Sequence, residues 1–212
     1  MSMTAVEREQ FRAAIRAAAL PLFLERPIAD LTLKGVAEAM GASFWAVYRQ
    51  YETREVLYRA AVAPLIDEVA AVAARTPRTT ASVGAAVGAC VRHAVELMQG
   101  ARYRDMFYLL LRDGAGQDWI EPIYRDRIVG ALVRGFEAAV RRAGDQHGLV
   151  IGIQPGTSQR VIRTLESNLL LPRLLPNSVP LSDEEVAAAR QAAVNGLMAA
   201  TYAVEFAEPA AA

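Results

Sequence analysis

Residues 32–57 read TLKGVAEAMGASFWAVYRQYETREVL, and this stretch decides the fold. Thr32 has a side-chain oxygen suited to capping a helix start. Leu33, Val36, Ala37 and Met40 then recur at three- and four-residue spacing, forming one apolar face of a short helix. Gly41 follows, and glycine takes the left-handed conformation that ends a helix at no steric cost. Ser43 can cap a second short helix, from Phe44 to about Gln50. Thr53 can cap a third, from Arg54 to about Arg75, with Pro64 inside it as a flexing point. Two short helices joined by a tight turn that starts with glycine form a helix-turn-helix. Its core follows from the spacing: Val36, Ala37 and Met40 against Val47 and Tyr51, with small Ala37 letting the helices approach closely.

Working outward, helical periodicity continues in both directions, and no strand alternation persists. Residues 4–25 carry the stripe Phe11, Ile15, Ala18, Leu22 and Phe23, with Arg8, Arg12 and Arg16 opposite. Pro21 should kink or shorten that helix. Towards the C-terminus the spacing predicts helices over about 80–99, 101–112, 119–143, 157–171 and 183–206. A glycine-rich break at 114–116, a loop at 144–156 opened by Gly144, and a linker holding Pro172, Pro176 and Pro180 separate them. Ser182 and Glu185 form a capping box, and Leu181 can staple onto Val186. The tail after Glu208 is short and Ala-rich, with the composition of a frayed end. The expected fold is all-α, about nine helices: an N-terminal three-helix helix-turn-helix domain over 1–54 and a larger helical domain over 55–212.

Composition narrows the function classes. The 212 residues are 53% hydrophobic, enough for a sizeable core and too apolar for a disordered chain. Basic and acidic side chains balance at 23 each, so any nucleic-acid binding must come from one positive face together with shape and base contacts. Cys90 is the single cysteine, which excludes an intrachain disulfide and suits a reducing compartment. Glu7, Arg8 and Glu9 interrupt any N-terminal signal core. No apolar run approaches the roughly 20 residues needed to span a bilayer, so a cytoplasmic protein without membrane contact is expected.

The 32–57 stretch resembles the DNA-binding signature of the TetR family of transcriptional regulators. The residues that carry the resemblance are Thr32, Val36-Ala37, Gly41-Ala42-Ser43, Tyr48, Tyr51, Thr53-Arg54-Glu55 and Leu57, preceded by LPLFLERPIADLT at 20–32. The motif covers about the first 60 residues, and the remainder fits the family in length and helix number. The chain departs from the family pattern at Phe44, Trp45, Pro27 and Glu52. Large aromatics stand at 44 and 45 where basic, polar or small residues are usual, and Glu52 brings a negative charge near the expected phosphate backbone.

In a helix-turn-helix the second helix enters the major groove. Phe44, Trp45, Tyr48 and Arg49 occupy its outward side or N-terminal end, with Ser43 at its start. Arg49 can donate to guanine or phosphate, and Phe44 and Trp45 can meet thymine methyls. Thr32, Lys34, Tyr48 and Arg54 are placed for phosphates, helped by the N-termini of the flanking helices. The structural alternatives are an extended local core for Phe44 and Trp45, an ion pair with a neighbouring acid for Arg54, and a solvated face for Lys34.

The resemblance further implies a dimer that reads palindromic operator DNA, and a cavity for a small-molecule effector. The helices over 157–171 and 183–206 resemble the family's dimer pair, and Leu165, Leu169, Val194, Leu197, Met198 and Tyr202 are its candidate apolar centre. The alternative is packing within the protomer. His93, Tyr103, Met106, Phe107, Trp119, Tyr124, Phe136 and Asn168 are candidate lining for an apolar or aromatic effector, against an ordinary core role for each. Asn168 among leucines reads as a buried amide in need of partners.

An enzyme is not expected, and no cofactor is implied. Two histidines, His93 and His147, and one cysteine offer no metal-ligand spacing, and neither a phosphate loop nor a nucleophile elbow is present. Asp105, Asp113, Asp118 and Glu121 sit among Arg102, Arg104 and Arg112, which reads as a solvated surface. The competing class is a helical protein-interaction module without sequence-specific DNA binding, kept open by the adjacent Phe44 and Trp45.

Overall fold

The computed structural model describes residues 3–77, 82–174 and 179–203. The chain is helical almost throughout and divides into two compact units. Met1–Glu68 and Asp105–Glu121 form the first; Val69–Arg104 and Pro122–Ala212 form the second.

Helix α1 spans Ala5–Glu25, and Thr4 and Glu7 close a capping box at its start. It runs on past Pro21 to Glu25, so the proline does not shorten it. Pro21 is on the exposed side, where water can satisfy the carbonyl left without a partner. The buried positions are Ile15, Ala19 and Phe23, one residue away from the expected Ala18. Helices α2 (Leu33–Ala39) and α3 (Phe44–Tyr48) follow, and α4 spans Arg54–Ala73. Helix α4 passes through Pro64, again on the exposed side. Thr32, Ser43 and Thr53 each accept a backbone N–H at their helix starts, from Gly35, Ala46 and Val56. Gly41 has φ of 65°, the left-handed turn that the sequence requires.

Helix α5 covers Val83–Gln99, capped by Ser82, and α6 covers Ala101–Asp113. Beyond the short 3-10 turn Gly114–Gly116, the helix expected as one piece over 119–143 is built in three. These are α7 (Ile120–Ile123), a π-helical segment (Tyr124–Val129) and α8 (Gly130–Gln146). Gly144 lies inside α8, and the left-handed residue is Gly148, with φ of 69°. Gly144 serves close approach instead: a Cβ there would lie 2.6 Å from the Leu149 carbonyl oxygen.

The region expected as loop contains a strand, β1 (Ile151–Ile153), antiparallel to β2 (Thr201–Ala203). Helix α9 spans Thr157–Leu169, entered through left-handed Gly156 (φ 76°), and α10 is the single turn Leu171–Leu174. Helix α11 spans Asp183–Ala199, with Ser182 and Glu185 in a capping box. It stops short of the expected end at 206 because the chain turns at Ala200 into β2, where Tyr202 pairs with Gly152. The linker residue Pro176, the expected helix end over 204–206 and the tail after Glu208 lie outside the described residues.

Each unit buries its own core. In the first, Ile15, Ala19, Phe23, Val36, Ala37, Val47 and Tyr51 pack with Leu57, Tyr58 and Leu65 of α4. Phe23 meets Tyr58 edge to face at 4.9 Å between ring centroids. In the second, α5, α8, α9 and α11 pack together around Val87, Val91, Leu132, Phe136, Ile162, Leu165 and Leu197.

Candidate functional site

The buried side of α3 is one residue, Val47; Tyr51 follows it into the core. Everything else on this helix is available to a partner. Phe44, Trp45 and Tyr48 are 36%, 67% and 41% exposed, so the two adjacent aromatics do not extend the core. They pack against one another instead: Phe44 to Trp45 edge to face at 5.3 Å, Trp45 to Tyr48 edge to face at 5.9 Å and Phe44 to Tyr48 tilted at 5.7 Å between centroids. Tyr48 adjoins both Phe44 and Trp45 because they lie four and three positions before it on the helix. Three rings gathered on one exposed helix face are rare in a monomer without a binding role.

The charged candidates divide. Arg49 is the C-cap of α3 and is exposed. Lys34, on the exposed side of α2, faces Glu38 at 3.7 Å across one helical turn, a weak surface pair. Arg54 donates from Nη1 to the Ala29 carbonyl at 2.7 Å and from Nε to Glu55 at 2.7 Å. It ties the start of α4 to the 3-10 turn Ile28–Asp30, and the neighbouring acid it pairs with is Glu55.

One structural feature of this unit has no signal in the 32–57 motif. Arg112 at the end of α6 donates to the Phe23 and Leu24 carbonyls, the last turn of α1, which holds no basic residue of its own. It also pairs with Asp113, which accepts from the Tyr58 hydroxyl at 2.9 Å. Asp113 is 6% exposed, so this carboxylate belongs to a buried network and not to a solvated surface. Burial and the neighbouring carboxylate push the Tyr58 phenol well up, which keeps it a donor.

The candidate effector residues fall in both units. Met106, Phe107 and Trp119 belong to the first. Met106 and Phe107 are buried there, and the Trp119 indole N–H donates to Gln117 at 3.1 Å. His93, Tyr103, Tyr124, Phe136 and Asn168 belong to the second. Of these, His93 and Phe136 line a narrow recess with Ala73, Thr76, Leu132 and Gly135. His93 Nε2 lies 3.1 Å from the Val72 carbonyl oxygen. An open depression of about 420 Å³, walled by Val72, Arg75, Thr76, His93, Glu96 and Leu97, shares His93 with that recess.

Asn168 is exposed, so it is not the buried polar group among the leucines of α9. That group is Glu166, 5% exposed, two residues earlier. A shift of two residues on a helix turns a side chain by about 200°, and the apolar positions Ile162, Leu165 and Leu169 carry Glu166 inward. Its Oε1 accepts from both the Tyr103 and Tyr124 hydroxyls, which joins two candidate residues through a third that was missed. Tyr124 opens the π-helical segment. Burial raises the Glu166 carboxyl above its ordinary range against the pull of both phenols, and burial likewise drives the Tyr103 phenol far upward.

The candidate dimer residues also divide. Leu165, Leu169 and Leu197 are buried within the second unit and are spent on its own core. Val194 is half-buried, and Met198 and Tyr202 are 39% and 46% exposed. What α11 leaves on its surface is a row of small residues, Ala188, Ala192, Gly196 and Ala199, beside Met198 and Tyr202. Among the described residues no group of His, Cys, Asp and Glu could hold a metal ion, and no helix is long and apolar enough to cross a membrane.

No protein-family model matches the sequence, and no curated protein is significantly similar to it. Solved structures match in fold over nearly the whole chain. A TetR family transcriptional regulator from Pseudomonas syringae pv. tomato superposes with a TM-score of 0.66 at 16% identity, covering 96% of this chain and 100% of that one. A tetR-family transcriptional regulator from Streptomyces coelicolor gives 0.54 at 21% identity, over 93% and 91%. Salmonella enterica GusR gives 0.62 at 13% identity, over 88% and 95%. What this chain shares with them is the fold, a helix-turn-helix followed by a larger helical part: the TetR-type architecture that residues 32–57 imply.

Proposed function

We propose that this protein is a DNA-binding transcriptional regulator that reads operator DNA with α3 and acts as a repressor released by a small molecule. The observation that carries the reading is the outer face of α3, where Phe44, Trp45 and Tyr48 stand exposed on a helix anchored from behind by Val47 and Tyr51. An α-helix fits the major groove, and apolar side chains there meet thymine methyls. The capped starts of α2 and α4 supply backbone N–H groups, and Thr32, Lys34, Ser43 and Arg49 add polar contacts. Arg54 contributes by holding the start of α4 in place, with a phosphate as a further partner.

A single short reading helix contacts too little DNA for useful specificity, and a two-fold dimer doubles the contacts on a palindrome. The small residues on the surface of α11, with Met198 and Tyr202, suit close packing against a second copy. For the effector, the region around His93 and Phe136 sets apolar Val72, Leu97, Leu132 and Phe136 beside polar Arg75, Thr76, His93 and Glu96, offering a small molecule both apolar contact and orienting groups.

Selection of bound fragments from a random DNA pool, repeated at low and high salt, tests the reading. The expected result is an enriched palindrome whose affinity falls with salt. Absence of any enrichment at low salt overturns it and favours a surface that docks protein.

A further inference from the structure

Beside the recognition helix, the first unit carries a groove of about 560 Å³ lined by Met3, Arg8, Phe11, Arg12, Ala46, Arg49 and Gln50. One wall is the N-terminal half of α1, and the other is the flank of α3 and its C-cap. Three of its seven lining residues are arginines and none is acidic, in a chain whose net charge is zero. The two acids of α1 beside it are engaged elsewhere: Glu9 pairs with Arg16 at 2.8 Å, and Glu7 accepts from the Thr4 backbone N–H at 2.7 Å. Among the described residues no ion pair reaches Arg8, Arg12 or Arg49.

The groove is also held in shape. Tyr51, 1% exposed, donates its hydroxyl to the Arg12 carbonyl at 3.4 Å and accepts from Arg16 at 3.3 Å, which fixes α1 to the chain leaving α3. The Arg12 guanidinium lies over the Tyr51 ring, 5.2 Å from its centroid. Arg12 Nε is buried without a hydrogen-bond partner, a donor left unmatched in the wall of a basic groove. Guanidinium groups have donors only, and their planar fork matches the oxygens of a phosphate.

The geometry points to a phosphate seat: the Arg8–Arg12–Arg49 groove grips the DNA sugar–phosphate backbone alongside the major groove that α3 enters. It rests on the DNA-binding reading and adds to it a role for α1, outside the helix-turn-helix motif. Phosphate contacts of this kind set register and orientation, and leave sequence to the aromatic face of α3.

The test is the salt dependence of binding by the full chain to the duplex selected above. Each phosphate contact contributes a slope of about −0.9 in log K against log salt. Exposed Arg8→Ala and Arg49→Ala should each flatten the slope by about 1. Together they should make the fall between 50 and 200 mM salt about 12-fold shallower, with an unchanged melting temperature. Arg8→Lys with Arg49→Lys should restore most of the slope. Replacing single phosphates with neutral methylphosphonates should weaken the wild type at one backbone position and leave the double alanine variant indifferent there. A wild type that binds with an unaltered slope in the alanine variants sinks the seat alone. A wild type that binds no duplex at low salt sinks the seat and the DNA reading together.

Discussion

The outer face of α3 and the interior beside α9 depart from the usual division of apolar inside and polar outside, in opposite directions. In the first unit Phe44, Trp45 and Tyr48 are apolar and exposed; in the second Glu166 is ionisable and buried. The buried carboxylate is accounted for within the protein: the Tyr103 and Tyr124 hydroxyls satisfy it, and its neighbours are core leucines. The exposed aromatics contact one another at the surface and contribute no buried side chain to the core, so the fold does not call for rings at these positions. A feature that folding explains should respond in stability, and one that folding does not explain should respond in binding.

The largest expected effect is therefore on DNA. Trp45→Ala with Tyr48→Ala should weaken binding to the selected duplex by about 30-fold, the loss expected of two base-edge contacts at the low end of 1–3 kcal/mol each. Their exposure sets the other half of the expectation: unfolding free energy should change by no more than about 0.5 kcal/mol. Fluorescence anisotropy with labelled duplex and thermal melting read the two quantities on the same preparation. A variant that melts early while its folded fraction still binds would reverse the contrast and return these rings to a structural role.

The buried cluster should behave the other way, and pH separates its parts. Burial raises the Glu166 carboxyl above its ordinary 4.5, while the phenols of Tyr103 and Tyr124 pull it down. A carboxyl raised in the folded state binds protons better folded than unfolded, so its contribution is fully present below the ordinary value. That contribution is lost as pH rises through the folded value. Stability should lose this contribution across the window in the wild type, and the difference between the two profiles should isolate it in Glu166→Gln, which keeps an acceptor for both phenols and has no charge to bury. Tyr103→Phe removes the larger of the two hydrogen bonds that lower the value, so the window should widen upward and stability should drop by about 1–3 kcal/mol. Urea melts between pH 4 and 8 check both, and a Glu166→Gln profile parallel to the wild type would show that the carboxyl is not the source.

These two regions also differ in how far the sequence discloses them. The helix-turn-helix is legible because its signals are local: Thr32, Ser43 and Thr53 cap the three helices, and Gly41 turns the chain between them. Exposure of Phe44 and Trp45 follows once Val47 and Tyr51 occupy the inward face of so short a helix. The Glu166 cluster joins residues 42 and 63 positions apart, a relation no spacing rule contains. Asn168 is flanked by leucines in sequence, yet helical phase turns it to solvent and places Glu166 on their buried side. Periodicity shows that α9 and α11 are amphipathic but not which partner covers the apolar side, so Leu165, Leu169 and Leu197 serve the protomer's own core. The pairing of β1 with β2 joins residues far apart in sequence, Ile151 with Ala203, and the close approach of Leu149 and Ile151 to Gly144 belongs to a chain reversal that helical spacing does not describe. In the basic groove, Arg8 and Arg12 read as the solvated side of α1 until Ala46 and Arg49 stand opposite them.

The smallest expected effect bears on what the aromatic face reads. If Trp45 and Phe44 lie against thymine methyls, removing one methyl from the DNA should matter as much as a small apolar contact does. Burying a single carbon of this kind contributes about 0.8 kcal/mol, or a factor of about four in affinity. Replacing thymines by deoxyuridine one at a time along the selected duplex leaves base pairing and the phosphate backbone unchanged. The wild type should lose about four-fold at one or two positions in each half-site and nothing elsewhere. Trp45→Ala should be indifferent at those same positions, because the methyl has lost the surface it packed on. Equal sensitivity in both proteins would place the methyl against some other residue, and no sensitivity in either would leave the stacked rings without a part in base reading. The measurement is selective because the electrostatic terms, including any from Arg8, Arg12 and Arg49, are identical for thymine and uracil.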